Sequence, residues 1–144
     1  MHEHLDIARQ RFANDNYAGS LGIVLDDLTH DTIRMHMQLR DDMLNWFSRV
    51  HGGAIYALAD AAFSVLANNS NNLAVALDCS ITYHTSPEPG TLLIVEGEKL
   101  SASRRTGAYL FKVYMDMQGK KTIVATMKSI AYRTGKPIDH TVGQ

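Results

Sequence analysis

One carboxylate stands out because of the residues that surround it. Asp60 lies within the apolar segment AIYALADAAFSVLANN, residues 54–69. Aspartate is a poor helix former, and its charge is costly to bury without a partner. A carboxylate in a partly dry site has tunable reactivity, so Asp60 is a candidate general base or nucleophile. The alternative is a structural carboxylate that caps the helix or is satisfied by a neighbouring chain.

The apolar pattern of residues 54–69 predicts a helix. At about 100° per residue, Gly53, Tyr56, Asp60 and Ser64 share one stripe of that helix. Asp60 therefore points into one specific environment, with the Ser64 hydroxyl one turn further on. We expect Gly53 and Tyr56 to contact a substrate from the same stripe.

His51, Gly52 and Gly53 come directly before this segment. Glycine lets a ligand approach the backbone closely, and the first N–H groups of a helix are unpaired and electropositive. Such a helix start can stabilise the negative charge that develops on a carbonyl oxygen. A Gly-Gly pair alone is typical of a turn, so the prediction depends on its combination with Asp60.

The elements that position these residues are predicted from periodicity. Leu5, Ala8 and Phe12 predict an N-terminal helix over about 3–14, and breakers predict a turn region over 14–22. Alternating residues then predict strands. Because the central helix is apolar almost all round, we expect an α+β fold with an antiparallel sheet curled around it. The predicted strands span about residues 23–28, 32–39, 75–84, 91–100, 108–117 and 122–133, and a frayed tail follows at about 135–144.

The composition excludes several function classes. The 144 residues fit one domain, 1–144, without repeats, and the formal net charge of −1 argues against a nucleic-acid partner. Cys79 is the only cysteine, so neither an internal disulfide nor a thiolate metal cluster can form. The longest apolar stretch, 54–67, is too short to span a bilayer, and no signal-peptide core is visible. We therefore expect a cytoplasmic protein without a membrane partner.

The segment MLNWFSRVHGGAIYALADAAFSVLANN resembles the signature of the hotdog-fold acyl-CoA thioesterases of the phenylacetic-acid-degradation type. In that signature an Asn is followed six residues later by HGG, and then by a helix with Leu-Ala-Asp. The likeness extends to the N-terminal helix, the strand order, the basic SRRTG turn and the MKS segment. The resemblance implies a hotdog fold, homodimers with shared active sites that pair again into tetramers, and coenzyme A as part of the substrate, with no other cofactor and no metal.

The resemblance also assigns roles to individual residues. Asp60 matches the catalytic carboxylate of the family, which acts as nucleophile or as general base for water. Gly52 matches the glycine whose backbone N–H polarises the thioester carbonyl. Asn45 and His51 match polar residues that position the carbonyl and the attacking group.

The chain departs from the family pattern directly after the carboxylate. Many members carry a Thr there, where this chain has Ala61. Ser64, one turn further on, can supply the hydroxyl, as in thioesterases related to this family. The residue that positions the water therefore stays open.

The spacing of two of these residues has a geometric consequence. Gly52 and Asp60 are eight residues apart, which is about 12 Å along one helix axis. One thioester carbon cannot lie within about 3.5 Å of both. If both act on the same carbon, they come from different chains, and the site lies at a two-fold dimer interface.

Other residues have weaker signals. Arg104 and Arg105, in a turn between two strands, are candidates to bind the phosphates of coenzyme A, with a solvated hairpin turn as the alternative. Lys128 is a candidate for the same phosphates or a plain sheet-face residue. Trp46 and Phe47 either line an acyl pocket or pack against the core. None of the histidines shows a metal-ligand spacing.

The sequence thus predicts an acyl-CoA thioesterase for a small or aromatic acyl group. Asp60 attacks the carbonyl to give a transient anhydride, or it deprotonates the attacking water, and coenzyme A leaves as a thiolate. One alternative is a non-catalytic acyl-CoA binding or sensing protein of the same fold. Another is an acyl-CoA hydratase, which ranks last because His51 precedes Asp60 instead of following the Asp-and-His spacing expected of hydratases.

Overall fold

A computed structural model describes residues 2–138 of the chain, which contain the predicted helices and strands in the expected order, together with one further short helix. The elements are α1 (His2–Phe12), α2 (Asn16–Ser20), β1 (Val24–Leu28), β2 (Thr32–Gln38), a short 3-10 turn (Asp41–Met43), α3 (Gly52–Ala67), β3 (Ala74–Tyr83), β4 (Leu92–Ala102), β5 (Thr106–Met117) and β6 (Lys120–Arg133).

The six strands form one antiparallel sheet in the order β1-β2-β4-β5-β6-β3. The sheet packs around α3, which contacts β2 to β6. This arrangement confirms the predicted α+β hotdog architecture. β3 lies at one edge, with β6 as its partner within the sheet, so no described strand pairs with its other edge.

The core lies between α3 and the inner face of the sheet. Leu58 of α3 is fully buried, and Phe63 of the same helix packs against the rings of Tyr109 and Phe111 at 5.6 and 5.9 Å. Gly97 leaves space for this cluster, since a Cβ there would lie 2.4 Å from the Phe111 ring. Truncating a buried leucine to alanine costs about 2–5 kcal/mol. This packing therefore fixes the position of α3 and of the residues that it carries.

Two local predictions about helices are wrong. The predicted turn region 14–22 contains the short helix α2, because the Asp15 carboxylate accepts a hydrogen bond from the Ala18 N–H (3.0 Å) and caps it. The central helix begins at Gly52 instead of residue 54, so both glycines lie in its first turn.

The predicted frayed tail is anchored at its start. Ile138 is buried, and its N–H donates to the side-chain oxygen of Asn71 (2.8 Å). The rest of the predicted tail, from residue 139, lies outside the described residues. Among the described helices, none has the length and apolar character needed to cross a membrane.

Candidate active site

The first turn of α3 leaves one N–H available. His51 is the N-cap, and its Nδ1 accepts a hydrogen bond from the Gly53 N–H (2.8 Å). The Ala54 N–H donates to the His51 carbonyl (3.0 Å). The Gly52 N–H donates to no other residue within 2–138. It can therefore donate to a ligand at the positive end of the helix dipole.

Tyr83, at the end of β3, holds Gly52 from the other side. Its hydroxyl donates to the Gly52 carbonyl (2.9 Å). The peptide group between Gly52 and Gly53 is therefore fixed at both ends, at the carbonyl by Tyr83 and at the N–H by His51. Tyr83 was not predicted as a site residue, because alternation within a strand does not reveal which helix residue a side chain contacts.

The cap also fixes the tautomer of His51. Because Nδ1 accepts from a backbone N–H, the neutral imidazole carries its proton on Nε2. The side chain is exposed, so this Nε2–H is a second donor near Gly52. A Cβ on Gly53 would lie 3.0 Å from Nδ1, so glycine at this position gives the cap room to form.

Asp60 lies two turns further along α3, where its carboxylate is exposed and makes no hydrogen bond or ion pair with another described residue. It lines a cleft of about 280 Å³ between α3 and β3, together with Ser64, Asn68 and residues 74–76. Displacement of part of its hydration by the surrounding protein raises the pKa of Asp60, and the nearby Asp15 carboxylate raises it further. A carboxylate with a raised pKa is a stronger base.

Tyr56 lies one turn before Asp60 on the same helix. Its hydroxyl interacts with the thiol of Cys79 on β3, and this interaction is the largest cause that raises the pKa of Tyr56 to about 12. Burial contributes next, followed by electrostatic repulsion from Cys79, Asp60 and Tyr83. Tyr56 therefore stays protonated at neutral pH, one turn before the Asp60 carboxylate. Cys79 was not predicted as a site residue, because a lone cysteine in a strand gives no signal of its neighbours.

Asn45 organises the loop that precedes the helix. Its side-chain oxygen accepts from the N–H groups of Phe47 (2.8 Å) and Arg49 (3.1 Å), which leaves the side-chain NH₂ as the group free for a ligand. The loop is closed at its base by a bridge between Leu44 and Val50. Trp46 and Phe47 are exposed at its tip, so the expectation that they pack against the core is wrong.

In one chain, the predicted catalytic residues form two separate groups. His51, Gly52 and Gly53 lie together, and Gly52 lines a cleft with Tyr83 and residues 84–87. Tyr56, Asp60 and Ser64 lie together along the accessible stripe of α3. Because both groups are on one rigid helix, Gly52 and Asp60 stay about 12 Å apart. A single chain therefore does not bring them to the same reacting atom.

Comparison with known protein families decides the class of the chain. A model of the thioesterase superfamily matches residues 47–126, which include the helix start, Asp60 and most of the sheet. The chain belongs to the thioesterase superfamily. A second model, of a domain of unknown function, matches residues 8–85 of this superfamily member.

Several known proteins are similar to this chain over most of its length. It is 28% identical to the acyl-coenzyme A thioesterase PaaI of Escherichia coli over 95% of this chain and 96% of that protein. It is 27% identical to a putative esterase of Archaeoglobus fulgidus, over 90% and 82% of the two chains. The solved structure of the E. coli PaaI protein matches with a TM-score of 0.87 over 94% of this chain and 96% of that chain, at 26% identity.

A solved variant of the phenylacetic acid degradation protein PaaI from Thermus thermophilus is 30% identical, with a TM-score of 0.75 over 83% of this chain and 99% of that chain. These matches confirm the resemblance and the hotdog fold.

The predicted phosphate ligands of this thioesterase-superfamily chain lie apart from the α3 stripe. Arg104 and Arg105 are exposed in the turn between β4 and β5, and Arg105 donates to the Tyr132 hydroxyl (3.3 Å). Lys128 is exposed, whereas its neighbours in β6 face inward, so it lies on the sheet face opposite α3. Within residues 2–138, no three His, Cys, Asp or Glu side chains are grouped so that they could hold a metal ion.

Proposed function

We propose that this chain is an acyl-CoA thioesterase, which hydrolyses a small or aromatic acyl-CoA to the free acid and coenzyme A. The observation that carries the proposal is that α3 has a free Gly52 N–H at its start, at a residue whose carbonyl is held by Tyr83, and a carboxylate without a described partner, Asp60, two turns later. Membership of the thioesterase superfamily and the likeness to an acyl-coenzyme A thioesterase support the same reaction.

The working site is formed by two subunits. A two-fold axis places Gly52 of each chain beside Asp60 of the partner subunit, which brings the donor and the base to one thioester. The exposed stripe of α3 and the free edge of β3 form the contact face, where Val75 and Leu77 are largely exposed in the single chain. Such dimers pair again into a tetramer, as the family resemblance implies.

The reaction uses the two half-sites in distinct roles. The Gly52 N–H donates to the thioester oxygen, and the His51 Nε2–H and the Asn45 NH₂ group of the same subunit help to orient it. The partner's Asp60 either removes a proton from the attacking water or attacks the carbonyl carbon itself. Negative charge develops on the carbonyl oxygen as the new C–O bond forms, and the helix N-terminus stabilises it.

The intermediate then collapses and the carbon–sulfur bond breaks. Coenzyme A leaves as a thiolate, a good leaving group because a thiol is far more acidic than an alcohol or an amine. On the nucleophilic route, water hydrolyses the acyl-aspartate anhydride in a second step. Hydrolysis by either route requires no cofactor besides the coenzyme A of the substrate.

Ser64 and the basic residues take supporting roles. The Ser64 hydroxyl lines the Asp60 cleft one turn beyond the carboxylate, where it can orient the attacking water. Gly53 and Tyr56 contact the substrate from the same stripe of α3. Arg104, Arg105 and Lys128 are proposed to bind the phosphates of coenzyme A from exposed positions.

The proposal is tested by Asp60→Asn, which keeps the shape of the side chain and removes its basicity. Release of free thiol from a panel of acyl-CoA thioesters should fall by about 10²- to 10⁴-fold, the usual contribution of a general base. Asp27→Asn, on the exposed strand β1 at the opposite edge of the sheet, is the matched control and should keep the wild-type rate.

Two outcomes contradict the proposal. Unchanged turnover in the Asp60→Asn variant removes Asp60 from the mechanism. If the wild-type protein binds acyl-CoA tightly in calorimetry but releases no thiol from any member of the panel, it is an acyl-CoA binding protein instead of an enzyme.

A further inference from the structure

Two neighbouring, largely exposed aromatic side chains form a pair in the loop before α3. Trp46 is 88% exposed and Phe47 is 66% exposed, and their rings are in tilted contact, with centroids 4.2 Å apart and an angle of 44° between their planes. Large apolar side chains grouped at the surface of a soluble protein mark a binding surface. The reaction proposed above gives this pair no role.

The loop that carries the pair is held rigidly. The Asn45 side chain accepts from two N–H groups of the loop, and the Asn45 N–H donates to the Arg49 carbonyl (2.6 Å). The Arg49 guanidinium donates to the Ser86 hydroxyl (3.0 Å) and to the Pro87 carbonyl (3.2 Å). The aromatic pair is therefore presented to the outside by a fixed loop that adjoins the start of α3.

Symmetry determines where this loop lies in the assembly, if the site is shared as proposed above. Each Gly52 lies beside the partner's Asp60, so the two α3 helices run antiparallel and the two-fold axis passes near Tyr56. The chain that precedes Gly52 in one subunit then continues past the partner's Asp60, in the direction of the partner's Ser64. The aromatic pair belongs to that chain segment.

The cleft at this position has space for an acyl group. It lies beside Asp60, and its walls include the small residues Ala67, Ala74 and Ala76. In the single chain the cleft is partly open to solvent. A volume of about 280 Å³ is at the lower end of the range for small-molecule pockets.

We propose that Trp46 and Phe47 of each subunit close the acyl end of the partner's Asp60 cleft and thereby determine acyl selectivity in favour of flat, aromatic acyl groups. This inference rests on the proposed thioesterase function and adds its specificity-determining residues. Aromatic rings gain from offset or edge-to-face contact with another ring, beyond the area that they bury. An aliphatic acyl chain in the same place is stabilised only by the burial of its apolar surface.

The experiment compares the Trp46→Ala/Phe47→Ala double variant with the wild-type protein on phenylacetyl-CoA, hexanoyl-CoA and acetyl-CoA. We expect kcat/KM for phenylacetyl-CoA to fall by about 10- to 100-fold, because both stacking and burial are lost. Acetyl-CoA, whose methyl group is too short to reach the pair, should keep its kcat/KM. Met117→Ala, at an exposed apolar residue of the β5–β6 hairpin, is the control for surface truncation.

A second double variant, Trp46→Leu/Phe47→Leu, separates flatness from apolar character. It should keep most of the activity with hexanoyl-CoA and lose selectivity for phenylacetyl-CoA. Size-exclusion chromatography of each variant reports whether the dimer is intact.

Each outcome has a defined meaning. Wild-type selectivity in the alanine double variant overturns the inference and leaves the thioesterase function standing. Equal losses with all three substrates, together with a change of oligomeric state, assign the pair to assembly and also overturn it. If the wild-type protein hydrolyses none of the three, the proposed function and this inference both fall.

Discussion

The Gly52 N–H can be removed without removing any hydrogen bond among residues 2–138. Proline lacks a backbone N–H, and Gly52→Pro places it at the first position of α3, where proline is favoured. The preceding residue must be extended, and His51 already has φ −66° and ψ 131°. The new Cβ would lie 3.4 Å from the Tyr83 ring, an ordinary contact distance. We therefore expect the variant to fold and to assemble.

The expected effect on catalysis is large. Loss of one oxyanion-stabilising donor lowers kcat by about 10²- to 10³-fold, or about 2.7–4 kcal/mol of transition-state stabilisation. The expected effect on stability has the opposite sign. Replacing a glycine by a proline at a compatible position reduces the entropy of the unfolded chain and stabilises the protein by about 0.4–1 kcal/mol. A slow enzyme that unfolds at an equal or higher temperature is the predicted combination.

The assay measures thiol release at saturating acyl-CoA and thermal unfolding of the same preparations. Gly52→Ala is the matched control, because it adds the same Cβ and keeps the N–H, so its kcat should stay near the wild-type value. Binding of free coenzyme A, measured by calorimetry, shows whether the cleft is intact in the proline variant. A wild-type kcat in Gly52→Pro refutes the role of this N–H. Equal losses in both variants attribute the effect to the added Cβ.

Two further predictions concern Asp15, which raises the pKa of Asp60, and Tyr83, which holds the Gly52 carbonyl. In the wild-type protein, kcat should decline as falling pH protonates Asp60, whose pKa is raised by burial and by the Asp15 carboxylate. Asp15→Asn removes that neighbouring negative charge and lowers the pKa of Asp60. The acid limb of the kcat pH profile should therefore move to lower pH. An unchanged acid limb would show that the charge of Asp15 does not influence the protonation of Asp60. Tyr83→Phe removes the hydrogen bond to the Gly52 carbonyl, worth about 1 kcal/mol net, so kcat should fall by roughly fivefold with KM unchanged. An increase in KM alone would assign Tyr83 to substrate binding.

The fold was predictable to the extent that periodicity alone determines it. The strict alternation in β2, as in Ile33, Met35 and Met37, identifies a strand with one buried face, and the structure buries all three. The short helix α2 was missed because glycine and asparagine were interpreted as breakers. The decisive feature is Asp15, whose carboxylate satisfies a free N–H at the helix start.

The site residues on α3 were predictable from the sequence, whereas the contact between the helix and Tyr83 of the sheet was not. The stripe with Asp60 and Ser64 follows from helical geometry, and both side chains are exposed. Tyr83 lies 31 residues after Gly52, and its hydrogen bond depends on how β3 pairs with β6 and packs beside the helix. Trp46 and Phe47 lie in a loop without periodicity, so no sequence pattern could reveal their exposure.

The free edge of β3 has a practical consequence for anyone who wishes to study or engineer an isolated subunit. The strand is ten residues long, and on this side its backbone groups pair with no described strand. Val75 and Leu77 are exposed beside it, and its protection is limited to the charge of Asp78 and an irregularity of pairing between Ala76 and Asp78. Long edges with exposed apolar side chains pair with strands of other chains and promote aggregation. A soluble monomer would therefore need a further blocking charge, for example Leu77→Lys, and in the dimer proposed above the same change would separate the two halves of each active site.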